Sequence, residues 1–182
     1  MKTVQLILDE IQGVMMNVDE HKLEECASIL AGDKRVFVIG EGRSGFMAKS
    51  FAMRLMHLGA NTCVVGETTT PSIETGDILV AVSGSGKTKS VVWTAEKAKS
   101  LGCEVVAITT DPNSELASYA SFIVVVPAAT KYRTNDGAES IQPLGSLFDQ
   151  SVHILLDAVC FLYSKVIQAD NDETFRRHSN LE

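Results

Sequence analysis

The sequence has no basic run, no long apolar stretch and few cysteines. Lys and Arg number 16 against 23 Asp and Glu, a formal net charge of -7. An electrostatic footprint for nucleic acid is therefore missing. An anionic ligand would have to be held by local groups, such as helix N-termini and single cations. The opening Met1-Lys2-Thr3 leads into an amphipathic pattern rather than the apolar core of a signal peptide. No segment reaches the roughly 20 apolar residues that a membrane span requires, so a cytoplasmic protein with no membrane contact is expected. Cys26, Cys63, Cys103 and Cys160 form no C-x-x-C pair, and each lies among apolar residues. They read as buried, reduced thiols, and no metal is expected.

What is present is ordinary globular composition, with 45% hydrophobic and 21% charged residues over 182 positions. That length suits one domain spanning 1–182. Val4, Ile7, Leu8, Ile11, Met15 and Val18 recur at helical spacing, and Leu23, Cys26, Ala27 and Leu30 follow Asp19, a candidate N-cap. Two helices over 1–31 are expected. The period then changes. Apolar runs at Val36–Ile39, Thr62–Val65, Ile78–Val82, Glu104–Thr109 and Phe122–Val126 read as strands. Between them, helices are expected at Phe46–Leu58, Thr88–Leu101 and Asn113–Tyr119. Continuous apolar strands alternating with helices predict an α/β fold over 35–126. It is a doubly wound, five-stranded parallel sheet with helices on both faces. A polar loop over 128–143 carries Lys131, Arg133, Asp136 and Glu139, and a long helix follows over about 144–168. That helix is apolar nearly all round, which predicts a subunit interface and hence a homo-oligomer. The acidic segment Asp170–Glu173 opens a tail over 170–182.

Two glycine-rich loops follow strands and open helices. Gly40-Glu41-Gly42-Arg43-Ser44-Gly45 matches the dinucleotide fingerprint G-x-G-x-x-G, with Glu67 placed near where a ribose-binding acid would fall. Ser83-Gly84-Ser85-Gly86-Lys87-Thr88 points elsewhere. Its glycines let backbone N–H groups converge, its helix N-terminus adds partial positive charge, and the hydroxyls of Ser83, Ser85 and Thr88 add donors without bulk. It is not a Walker A loop, because Ala81 stands where that pattern needs glycine. Two such loops side by side suit a small polyhydroxylated phosphate better than a dinucleotide, and no cofactor is expected.

The stretch Ser83–Thr88 resembles the phosphate loop S-x-S-G-x-T of the sugar isomerase (SIS) domain family. Gly42–Gly59, Val64–Pro71, Gln142–Asp149 and the ending Arg177–Glu182 resemble the 6-phospho-3-hexuloisomerases within that family. The resemblance implies a flavodoxin-like SIS fold and a tetramer with active sites between subunits. It also implies conversion of D-arabino-hex-3-ulose 6-phosphate to fructose 6-phosphate, without metal, in formaldehyde fixation by the ribulose monophosphate route beside a hexulose-phosphate synthase. Carried over by position, Ser44 and the segment from Gly84 to Lys89 would contact substrate. Asp149 falls where the family carries a catalytic glutamate, one methylene longer.

Moving a carbonyl from C3 to C2 needs one base near both carbons, and Asp149 is the candidate. Read locally, Ser146-Leu147-Phe148-Asp149 also fits a capping box, in which Asp149 would only bind a backbone N–H. His178 is a candidate acid–base helper reaching a neighbour's site from the tail; a terminal histidine is also commonly solvated. Arg43 would neutralise phosphate or polarise the carbonyl, or form a surface ion pair. Lys87 and Lys89 would supply charge to the phosphate or solvate the helix start. His57 reads as a packing residue. Competing readings are an isomerase of arabinose 5-phosphate, a non-catalytic sugar-phosphate sensor, and a dinucleotide oxidoreductase.

Overall fold

A computed structural model describes residues 2–130 and 140–181. Asp19 caps the second helix as its position suggests, accepting from His21 N at 3.0 Å and Lys22 N at 3.4 Å. Such a cap contributes about 1 kcal/mol. The elements in chain order are α1 (Thr3–Met15), α2 (Glu20–Leu30), β1 (Val36–Gly40), α3 (Gly42–His57), β2 (Thr62–Val64), β3 (Ile78–Val82), α4 (Lys89–Ser100), β4 (Glu104–Thr109), α5 (Glu115–Tyr119), β5 (Phe122–Val125), α6 (Ser146–Val166) and α7 (Asn171–Arg176). The five strands are all parallel, in the order β2-β1-β3-β4-β5. This is the doubly wound order in which the chain reverses direction between β1 and β3, and ligands of such sheets bind beyond the carboxyl ends of those strands.

Alternation along each strand feeds two cores. Val36, Val38, Ile78, Val80, Val106 and Ile108 face α2, α3 and α6, while Phe37, Leu79, Ala81, Val105 and Ala107 face α4 and α5. Each large side chain fully buried here contributes roughly 1.5–3 kcal/mol. Cys26, Cys103 and Cys160 are buried and Cys63 half-buried, all as free thiols, and burial pushes Cys26 and Cys160 up to about 12. At the amino ends of β1 and β3, Arg35 grips Asp77 with two bonds, Nε to Oδ1 at 3.0 Å and Nη2 to Oδ2 at 2.6 Å.

Three elements differ from expectation. Helix α3 begins at Gly42, inside the glycine loop rather than at Phe46, because Gly45 presses its backbone onto the end of β1: a Cβ there would stand 2.7 Å from the Gly40 carbonyl oxygen. The acidic tail forms α7, started by Asp170, whose carboxylate accepts from Asp172 N at 3.2 Å. Much of the apolar surface of α6 is covered inside the chain, by α1, α2 and α3. What stays outside is a narrower strip with Ile154 and Phe161. Lys131, Arg133, Asp136 and Glu139 lie outside the described residues.

Candidate functional site

The β1 and β3 loops leave the sheet side by side, since Gly40 and Val82 are register partners. The β3 loop is pinned from beneath by β4 and its following turn. The Gly84 carbonyl accepts from Thr110 N at 3.1 Å and Thr110 Oγ1 at 2.8 Å, and the Gly86 carbonyl from Leu116 N at 2.9 Å. Gly86 sits at φ +59, where a Cβ would also run into the Ser114 side chain, so glycine is required twice over. Ser83 Oγ and Thr88 Oγ1 share a hydrogen bond of 3.0 Å. Thr88 is the N-cap residue of α4 but makes no side-chain cap. The first turn of α4 thus has no side-chain cap, and the positive end of the helix stands behind Thr88.

A cavity of about 430 Å³ opens between the loops. Its floor and sides come from Glu41, Gly42, Arg43 and Ser44 of the first loop and from Ser83, Gly84, Ser85 and Thr88 of the second. Its far wall is Pro143–Ser146, then Phe148 and Asp149 of α6. Gly86, Lys87 and Lys89 do not line it: Gly86 is buried in the turn, and both lysines are exposed at the start of α4. Of the expected substrate-contacting residues, these three are therefore placed outside the cavity. Glu67 also falls away, paired with Lys49 at 2.6 Å on the surface.

Asp149 is not a cap. Helix α6 starts from Gly145 without a side-chain cap, and the Asp149 carboxylate turns instead across the cavity to α3. Its Oδ1 accepts from Ser44 Oγ at 2.8 Å, and its Oδ2 lies 3.2 Å from Arg43 Nε. Asp149 is only 6% exposed. Burial raises its pKa above the ordinary aspartate value, and the Ser44 and Arg43 contacts offset this only in part. The Arg43 side chain is 64% exposed, so solvent weakens its pull. Glu41, not singled out from the sequence, also lines the cavity and ties the first loop to α4, accepting from Ser90 Oγ at 2.8 Å. The wall residues Leu144, Gly145, Ser146 and Phe148 were likewise unforeseen; the positive φ of Leu144, 54°, leaves no local mark in the sequence.

His178 lies elsewhere. Its ring stacks on His57, with centroids 5.2 Å apart. His57 closes the 16-residue α3 and Ser44 opens it, so the pair sits about 20 Å from the cavity within one chain. His178 can serve a site only in a neighbouring copy.

Comparison with known proteins agrees with this geometry. A model of the SIS domain matches residues 29–154. The 3-hexulose-6-phosphate isomerase of Bacillus subtilis (strain 168) is 40% identical over 185 residues, covering 100% of both chains. That of Mycobacterium gastri is 41% identical over 180 residues, covering 98% of this chain and 89% of its own. A hypothetical protein of Methanococcus jannaschii, whose crystal structure was taken to infer a 3-hexulose-6-phosphate isomerase function, superposes over 100% of both chains with a TM-score of 0.85 and 32% identity. With the parallel sheet, the paired loops and full-length likeness in agreement, this chain belongs to the SIS domain family, among its 3-hexulose-6-phosphate isomerase relatives.

Proposed function

We infer that the chain isomerises D-arabino-hex-3-ulose 6-phosphate to fructose 6-phosphate through a cis-enediol. The observation that carries this reading is a buried carboxylate, Asp149, facing the same cavity as the hydroxyl-bearing β3 loop. The phosphate ester is received by Ser83, Ser85 and Thr88, at the positive end of α4. This fixes one end of the sugar and lays its carbonyl end toward α6. Asp149 takes the proton from C2, and the hydroxyl proton on the C2 oxygen passes to the C3 oxygen across the cis-enediol. Asp149 then returns its proton to C3, and the carbonyl stands at C2. Arg43 meets the negative charge that develops on the enediol oxygens. Burial raises the Asp149 pKa toward the working pH of a general base, while Ser44 limits that rise.

The same reading puts the enzyme in the cytoplasm, in formaldehyde fixation by the ribulose monophosphate route, taking its substrate from a hexulose-phosphate synthase. Among the described residues no helix is long and apolar enough to cross a membrane. The chain acts as a single SIS domain over 1–182 and assembles as a homotetramer. Met53, Met56, Ile154 and Phe161, exposed on the outer sides of α3 and α6, support a contact with a second copy. Such a contact is also what would let His178 approach a neighbour's cavity.

The test is incubation with formaldehyde, ribulose 5-phosphate and a hexulose-phosphate synthase, with arabinose 5-phosphate assayed in parallel. Fructose 6-phosphate is expected in the first reaction. Turnover of arabinose 5-phosphate alone, or of neither, would overturn the reading.

A further inference from the structure

Outside the cavity, one carboxylate collects three donors from a stretch of chain far away in sequence. Glu10 of α1 accepts from Ile141 N at 2.8 Å through Oε1. Its Oε2 accepts from Ser140 Oγ and from Gln142 Nε2, both at 3.0 Å. Ser140 Oγ in turn accepts from Gln142 N at 3.0 Å, and Gln142 is 6% exposed. Burial alone would raise the Glu10 carboxyl, but the bonds from Gln142, Ile141 and Ser140 carry it below the usual range.

The chain leaves this clamp directly into the cavity wall. Pro143, Leu144, Gly145 and Ser146 line the cavity, and α6 then presents Asp149 one turn on. Leu144 sits at φ 54, a conformation that a leucine holds only when its surroundings impose it. The phosphate loop belongs to a different part of the fold, between β3 and α4.

We propose that Glu10 is a positioning residue: through residues 140–142 it fixes the wall at 143–146 and the first turn of α6, and so sets where the Asp149 carboxylate stands. The proposal rests on the isomerase reading above. Glutamine at this position removes the charge that strengthens the three bonds, and its N–H₂ is accepted only if the Ser140 hydroxyl and the Gln142 amide turn round to receive it. Aspartate keeps the charge on a shorter arm.

The experiment compares the full-length chain with Glu10→Gln, Glu10→Asp and Asp9→Asn. Asp9 is the exposed neighbour, which accepts from Gln5 Nε2 at 2.8 Å. Glu10→Gln is expected to lower kcat by about ten-fold or more, as displacement of a catalytic group does. Inhibition by inorganic phosphate should stay unchanged, Glu10→Asp should recover part of the rate, and Asp9→Asn should match wild type. Amide exchange at Ile141 should quicken in Glu10→Gln. If that variant does not fold, Gln142→Ala, which removes one of the three donors, should show the same kcat loss in smaller measure. Wild-type kcat per folded molecule in these variants would overturn the proposal, whatever happens to Tm. Wild-type protein inactive on the hexulose phosphate would sink the isomerase reading instead, and Ile141 exchange would still report whether the clamp exists.

Discussion

Replacing Ser44 with alanine removes a single hydroxyl, and its consequence can be worked through. Ser44 Oγ donates to Asp149 Oδ1 at 2.8 Å, in a place where Asp149 is 6% exposed. A hydrogen bond to a charged group contributes about 1.5–3 kcal/mol, and one pKa unit is about 1.4 kcal/mol. The donor favours the carboxylate, so without it the protonated acid persists to higher pH. The acid limb of kcat/KM should therefore move up by about one to two pH units. Arg43 remains beside Oδ2, but its exposure keeps it from compensating. A stability consequence follows with the opposite pH trend from an ordinary ion pair. Because burial raises the folded Asp149 pKa, its ionisation costs stability above that pKa and nothing below the unfolded one. Ser44→Ala should thus be less stable at neutral pH and recover toward wild type in acid. The assay is kcat/KM for the hexulose phosphate across the acid and neutral range. An acid limb that stays where it was, with rates lowered uniformly, would refute the reasoning and return Ser44 to a direct contact with substrate.

Two further changes probe the scaffold. Gly86→Ala places a Cβ at φ +59 against Ser114, and should cost about 1–3 kcal/mol while raising KM for the sugar phosphate; unfolding melts and phosphate inhibition measure the two effects, and a wild-type Tm would contradict the account. Asp77→Asn keeps one of the paired bonds from Arg35 but loses the other and the charge, and should cost about 1.5–3 kcal/mol at neutral pH. Burial alone would raise the Asp77 carboxyl, but the Arg35 and Glu74 bonds hold it below the ordinary value. Its stabilisation is therefore present above the unfolded pKa and disappears as pH falls through the folded one. Urea midpoints of wild type and Asp77→Asn should converge in acid.

The strands were legible because parallel strands buried on both faces appear as unbroken apolar runs, and Glu104–Thr109 is found with the expected limits. Their order was not, since which strand lies beside which depends on packing rather than on local pattern. The start of α3 was hidden by its own glycines: Gly42 and Gly45 look like a loop, yet the first helical turn begins at Gly42 and Gly45 packs against the end of β1. Helix α7 carries a readable signal in Asp170 followed by Glu173, set within an acidic run whose composition alone suits a solvated tail. At the site, the hydroxyls of Ser83, Ser85 and Thr88 were visible in the motif and line the cavity. Lys87 and Lys89 share that motif but lie exposed outside the cavity. The choice between cap and cavity for Asp149 was not decidable locally. It is decided by Ser44, a residue 105 positions away. Glu10 gave no sign at all, because its three donors lie some 130 positions downstream.

The role of Asp149 is tested most directly by the single-turnover rate of Asp149→Asn, measured on the same preparation whose fructose 6-phosphate affinity has been determined. The asparagine is isosteric but cannot accept a proton, so affinity should stay near wild type while conversion disappears, and Asp149→Glu, which restores the residue the family pattern carries there, should turn over. Substantial conversion by Asp149→Asn would contradict the assignment of this carboxylate as the base.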